Sequence, residues 1–149
     1  MENPFNDIYF MKRALVEAET AFAKGEVPVG AVIVLNNQII ARAHNLTETL
    51  NDVTAHAEMQ AYTAAADYLG GKYLNECTLY VTLEPCQMCA GASYWAQIGK
   101  IVFGAYDTKR GFINYKTKLH PKTQVTGGVL EEECSKLIQR FFIEKRNLN

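Results

Sequence analysis

Ile8, Met11, Leu15, Ala18 and Phe22 recur at steps of three and four along the chain, the spacing of one apolar face of an amphipathic helix. Gly25 follows as a stop, since glycine takes the left-handed conformation that closes a helix. Residues 31–35 are continuously apolar, and a second run extends over 38–44 after Asn36-Asn37. Asparagine tolerates the positive φ of a tight two-residue turn, so the pattern predicts a hairpin. A second helix is expected over 54–69, ended by Gly70-Gly71, and then a buried strand over 78–83. A third, short helix should start at about Pro85, because proline suits a first helical turn. Residues 101–104 read as another strand and 106–122 as loop, and Leu130, Cys134, Leu137, Ile138 and Phe141 mark the face of a last helix.

Strands that alternate with helices imply parallel crossovers, and wholly apolar strands imply helices on both faces of the sheet. The expected fold class is therefore α/β, a three-layer α/β/α arrangement whose sheet is mixed because the hairpin is antiparallel. No repeat, low-complexity stretch or Pro/Gly/Ser linker interrupts the chain, which reads as one domain over residues 1–149. With 149 residues, 48% of them hydrophobic, the chain can bury a substantial core and does not resemble a disordered one. No apolar run is long enough to span a bilayer, and the first thirteen residues hold no signal-peptide segment. A cytoplasmic location is expected, and the four cysteines are not read first as disulfides.

The net charge of −1 excludes a wholly basic nucleic-acid coat protein. It conceals an uneven distribution. Residues 1–99 hold 5 Lys/Arg and 11 Asp/Glu, whereas residues 100–149 hold 10 and 5. A basic last third could meet a phosphate backbone, although a lopsided solvated surface accounts for the same composition.

Two short motifs carry the chemistry. His56-Ala57-Glu58 opens the second helix, and Pro85-Cys86-Gln87-Met88-Cys89 opens the third. Together, H-x-E and P-C-x-x-C form a signature of zinc nucleobase deaminases. Cys86 and Cys89 share a face on one helical turn, and a helix start lowers thiol pKa. His56 would add a third zinc ligand, leaving the open position that distinguishes a catalytic zinc from a structural one. Water there can reach a pKa of about 7 and act as hydroxide. Residues i and i+2 of a regular helix point to nearly opposite sides. His56 and Glu58 can therefore face one site only if the helix begins at or near His56, with Thr54 as its candidate cap. Glu58 could then move protons from the water to the ring nitrogen and the departing ammonia without binding zinc. Taken alone, Cys86 and Cys89 could also be a redox pair or half of a structural zinc site. His44, Cys77, His120 and Cys134 are the spare ligands for the latter, and none has partner spacing.

With these motifs stand residues 25–32 (Gly-Glu-Val-Pro-Val-Gly-Ala-Val), His44-Asn45, residues 52–58, residues 78–92, Val102-Phe103-Gly104-Ala105-Tyr106-Asp107, residues 127–134 and Phe141-Phe142. Over nearly its whole length the chain closely resembles the bacterial tRNA-specific adenosine deaminases. The resemblance implies a cytidine-deaminase-like fold with a mixed five-stranded sheet, one zinc per subunit and a homodimer. It further implies hydrolytic conversion of adenosine to inosine at the wobble position of a tRNA anticodon, that of an arginine tRNA in particular. Carried over by position, His56, Cys86 and Cys89 bind zinc and Glu58 is the proton shuttle. Asn45 would contact the flipped nucleotide, the Ala57 backbone would hold the base, and Val29 would line the pocket. Asp107 would lie near the sugar-phosphate, and Phe142 and Arg146 would touch neighbouring anticodon nucleotides. Read without the resemblance, Asn45 is a turn residue, Val29 and Phe142 are core, and Arg146 is a solvated charge.

The chain departs from the family pattern after Lys109-Arg110-Gly111. Phe112-Ile113-Asn114-Tyr115-Lys116 stands where the family has small residues and a longer loop, and His120-Pro121-Lys122 replaces an Asn-His-Arg. Lys116, Lys118 and Lys122 still supply cations for phosphate contact. Tyr94 and Trp95, after the metal helix, could face a second subunit or pack within the chain. Two other functions compete: a deaminase of a free base or nucleotide, such as guanine or a cytosine compound, and a non-catalytic zinc-stabilised RNA-binding module. Glu58 argues against the last, because a structural zinc has no use for that carboxylate.

Overall fold

The computed structural model describes residues 3–148. Helix α1 (Asp7–Ala23) starts on Asn6, whose side chain accepts the Tyr9 N–H at 2.9 Å, the usual device for satisfying a free helical N–H. Strands β1 (Gly30–Leu35) and β2 (Gln38–His44) form the expected hairpin, and both turn asparagines have positive φ, 50° and 61°. Then come α2 (Ala57–Leu69), β3 (Thr78–Leu83), α3 (Gln87–Ala96), β4 (Lys100–Ala105), the single turn α4 (Phe112–Tyr115), β5 (Gln124–Thr126) and α5 (Glu131–Asn147). Gly70 closes α2 in the left-handed conformation.

The sheet order is β2-β1-β3-β4-β5. Strand β1 is antiparallel to both neighbours, while β3, β4 and β5 are parallel. The two flanks of β1 therefore run the same way, and the ends of β2, β3 and β4 open at one edge of the sheet together with the start of β1. Alternation along the strands divides the core. Val32, Val34, Tyr80 and Val102 face Phe10, Met11 and Ala14 of α1 and Cys134 of α5. Ala31, Ile33, Leu79, Val81, Ile101 and Phe103 face Ala57, Ala61, Tyr62 and Ala65 of α2 and Ala90 of α3. This is the three-layer fold with a mixed sheet. At Gly30 the α1 backbone comes so close that an added Cβ would meet Ala14 O and Ala18 N, so only glycine fits beneath the helix.

The boundaries depart from expectation in three places. Pro85 is not a first-turn residue: α3 begins at Gln87 with Cys86 as its extended N-cap. The Pro85 carbonyl instead accepts the Phe112 N–H at 2.9 Å, and Cys86 bridges to Gly111. Thr54 is not the cap of α2. Its N–H and hydroxyl both bond to Asp52 Oδ1, at 2.8 and 2.7 Å, and His56 holds the cap position. Within the expected loop the chain makes α4, and β5 follows just beyond it; both are too short to carry a periodic signal. Among the described residues no helix is long and apolar enough to cross a membrane.

Candidate metal centre and catalytic pocket

His56 and Cys86 are the N-caps of α2 and α3, with extended backbones (φ −71°, ψ 154° and φ −73°, ψ 175°), and neither side chain caps its own helix. An extended cap residue projects its side chain out from the helix end, so both face the space where the two helix starts converge. Cys89, in the first turn of α3, completes the group. His56 Nδ1 lies 3.6 Å from Cys86 Sγ and 3.5 Å from Cys89 Sγ. The three ligand atoms all lie within 4.8 Å of one another.

That geometry fits zinc. Zn–S bonds of about 2.3 Å and Zn–N bonds of about 2.0–2.1 Å at a tetrahedral angle put nitrogen and sulfur about 3.5 Å apart. The donor set, one imidazole and two thiols, is the zinc type, and three ligands leave a fourth position for water or substrate. Hydrogen bonds from the Cys89 thiol and from His56 hold Cys86 down to about 4, while donation to Cys86 and burial push Cys89 up. His56 is raised, chiefly by its bond to Cys86. One proton-donating and one anionic sulfur beside an imidazole is a set ready to exchange protons for a cation. Tyr62 donates its hydroxyl to the Cys89 carbonyl at 3.2 Å and so ties α2 to the ligand turn.

Glu58 lies in the first turn of α2, 4% exposed. Burial pushes its carboxyl up to about 7. It approaches the Cys89 side chain but does not belong to the three-ligand group, so it is available as a base or acid beside the metal position. The spare ligands lie elsewhere. Cys77 and Cys134 are buried free thiols. His44 sits between Glu17 at 3.3 Å and Lys24 at 3.0 Å, and His120 accepts the Lys122 N–H and lies against Tyr94.

The residues named by resemblance are placed variously. Asn45 is buried just past β2; its N–H donates to the Val29 carbonyl at 3.0 Å and its amide reaches Thr47 Oγ1 at 3.4 Å. Val29 belongs to the core cluster that includes Ala57. Ala57 is the first residue of α2, where the N–H has no intrahelical acceptor. Asp107 Oδ1 accepts the N–H groups of Lys109 and Arg110, at 3.2 and 3.0 Å, so this carboxylate shapes the turn after β4. On α5, Phe141 is buried, whereas Phe142 is 44% exposed and Arg146 is exposed. Trp95 is exposed, with Tyr94 packed edge-on against it.

Two buried carboxylates had no assigned role in the sequence pattern. Glu26, 0% exposed, accepts the Glu48 N–H at 3.0 Å and the Thr49 N–H and hydroxyl at 2.6 Å each, pinning the loop that leads from Asn45 to His56. Glu84, 3% exposed, accepts the N–H groups of Asp107 and Ile113, both at 3.0 Å. The signal was present in each case: one carboxylate within two residues of a proline, Pro28 or Pro85, next to an apolar strand. Burial would raise Glu26, but its bonds from Thr49 and Glu48 hold it below the ordinary 4.5. Its contribution to stability is therefore complete above that pH and is lost as the pH falls through the folded value. Glu26→Gln keeps an acceptor oxygen but turns an amide toward the loop. It is expected to cost about 2–4 kcal/mol at neutral pH, a fall in Tm of roughly 5–15 °C. The gap from wild type should narrow as the pH falls below 4.5 in urea denaturation.

Comparison with known proteins finds zinc-binding deaminases. The family model described as "cytidine and deoxycytidylate deaminase zinc-binding region" matches residues 5–105. A tRNA-specific adenosine deaminase of Bacillus subtilis (strain 168) is 48% identical over 146 residues, covering 94% of this chain and 91% of that protein. A structure solved in studies of A-to-I editing by tRNA:A34 deaminases at the wobble position superposes with a TM-score of 0.82 at 43% identity, over 87% of this chain and 98% of the other. The structure of guanine deaminase from Bacillus subtilis matches with a TM-score of 0.66, also at 43% identity, over 69% of this chain and 66% of that one.

Proposed function

We propose that this chain, which belongs to the tRNA-specific adenosine deaminases within the cytidine and deoxycytidylate deaminase family, converts adenosine to inosine at the wobble position of a tRNA anticodon, in particular that of an arginine tRNA. The observation that carries this function is a zinc-shaped His56/Cys86/Cys89 group with a buried, non-ligating Glu58 beside it, in a chain 48% identical to a tRNA deaminase along 94% of its length. His56 Nδ1 and the two thiolates would hold one zinc per subunit. When bound, zinc supplies Lewis acidity that brings the pKa of water from 15.7 toward about 7.

In the net reaction a C6–O bond forms, the C6–N bond breaks, and water and adenosine yield inosine and ammonia. Glu58 takes one proton from the attacking water and delivers it to N1 of the ring, then takes the second from the new C6 hydroxyl and passes it to the departing amine. The Asn45 amide and the Ala57 N–H orient the flipped base against Val29. Asp107 and the Lys109-Arg110 turn lie toward the sugar-phosphate, and Phe142 and Arg146 meet neighbouring nucleotides by stacking and charge. The enzyme works as a homodimer in the cytoplasm.

A free-base deaminase remains the competing function, supported by the match to guanine deaminase. Zinc-loaded enzyme is to be incubated in parallel with an anticodon stem-loop bearing wobble adenosine and with free guanine, cytidine and adenosine. Inosine in the stem-loop is expected, at a kcat/KM at least 10²-fold above that for any free compound. Turnover of free guanine without stem-loop inosine overturns the tRNA function in favour of the other.

A further inference from the structure

Glu84 binds two parts of the chain that the sheet does not join. It stands between the end of β3 and the ligand Cys86, and its own N–H donates to the Ala105 carbonyl at 2.8 Å. Each carboxylate oxygen then accepts a different N–H of the following loop: Oε1 that of Asp107, Oε2 that of Ile113, both at 3.0 Å. The loop is thus gripped at both ends from one side chain. Between the grips, Gly111 bridges to Cys86 and the Phe112 N–H donates to the Pro85 carbonyl at 2.9 Å. Gly111 packs so closely that an added Cβ would meet the Glu84 carboxylate. A buried carboxylate is costly unless its oxygens are bonded, so this arrangement holds only while the loop keeps one position.

What the loop presents is charge. Lys109 and Arg110 lie two and one residues before Gly111; both are exposed, and among the described residues neither makes an ion pair. Asp107 Oδ1 orders their backbone N–H groups into a tight turn. The backbone that carries the two cations is therefore held relative to Cys86 through Gly111.

We propose that Glu84 is a positioning residue for substrate: it holds the Lys109-Arg110 turn beside the metal ligands so that the two cations meet the phosphodiester backbone flanking the target base. It rests on the tRNA-deaminase function above, and it assigns to Glu84 an effect on KM and not on the chemical step.

Zinc-loaded wild type and Glu84→Gln are to be compared on the anticodon stem-loop across a salt series. Glu84→Gln is expected to raise KM about tenfold with kcat within twofold and zinc content unchanged. The slope of log(kcat/KM) against log[salt] should become shallower by about 1–2, because each lost phosphate contact removes about 0.7–0.9 from it. Gly111→Ala displaces the loop with the carboxylate intact and should raise KM alike, which decides the matter if Glu84→Gln does not fold. In a Lys109→Ala/Arg110→Ala background, Glu84→Gln should raise KM less than twofold further, since residues that act through one another are not additive. A purely structural Glu84 would leave the salt slope unchanged, lower kcat and zinc content together, or give additive effects in that background, and any of these overturns the proposal. Absence of wild-type turnover on the stem-loop overturns the tRNA function itself, and this inference with it, and is read from the wild-type arm alone.

Discussion

Glu58→Ala is expected to lower kcat on the stem-loop by about 10²–10⁴-fold, the usual contribution of a positioned proton-transfer group. Zinc content and Tm should stay near wild type. The expectation follows from position. Glu58 is buried beside the three ligands without being one of them, so its removal takes away a proton carrier and not a bond to the metal. Its burial also raises the carboxyl to about 7, and removing a carboxylate that costs free energy to bury does not destabilise the domain as loss of a ligand would. Metal analysis by mass spectrometry, thermal denaturation and stem-loop kinetics on one preparation check it. Near-wild-type kcat, or loss of zinc along with activity, would contradict the assigned role.

Cys86→Ala should act through the opposite pair of observables. It removes a ligand whose Sγ lies 3.6 Å from His56 Nδ1, leaving two protein donors, so zinc should be lost and turnover should fall to background. Binding to the folded state alone stabilises it by RT ln(1 + [L]/Kd), about 4 kcal/mol at a thousandfold excess over Kd. For a domain of this size the fall in Tm is then roughly 8–16 °C. Stripping wild type with a chelator should give the same Tm, and returning zinc should restore activity to wild type but not to Cys86→Ala. A variant that keeps stoichiometric zinc would show that Cys86 is not a ligand.

These two residues also show how unevenly the site was legible. The spacing of Cys86 and Cys89, and of His56 and Glu58, bears on geometry within one helical turn, where local stereochemistry decides position. The expectation that α2 begins at His56 followed from that stereochemistry and agrees with the cap found there. Thr54 and Pro85 were misassigned because each fits a helix start by propensity, while a neighbour claims it: Asp52 bonds Thr54, and Phe112 bonds the Pro85 carbonyl. The apolar strands were visible because a continuous apolar run and its length are written in residue order. Strand β5 was not, since three residues carry no period and its pairing with β4 depends on a loop closing first.

Residue type and local period thus determined the layers, the hairpin, the donor set and the carboxylate beside it. Only the tertiary structure decided that two helix starts thirty positions of sequence apart would face each other, with His56 Nδ1 3.5–3.6 Å from the two sulfurs, and that Glu26 and Glu84 would each pin a loop. The physical reason is range. Periodicity and capping act within a turn or a strand pair, whereas the partners of a buried carboxylate are chosen by packing between segments distant in the chain, whose burial cost is offset only once both are in place.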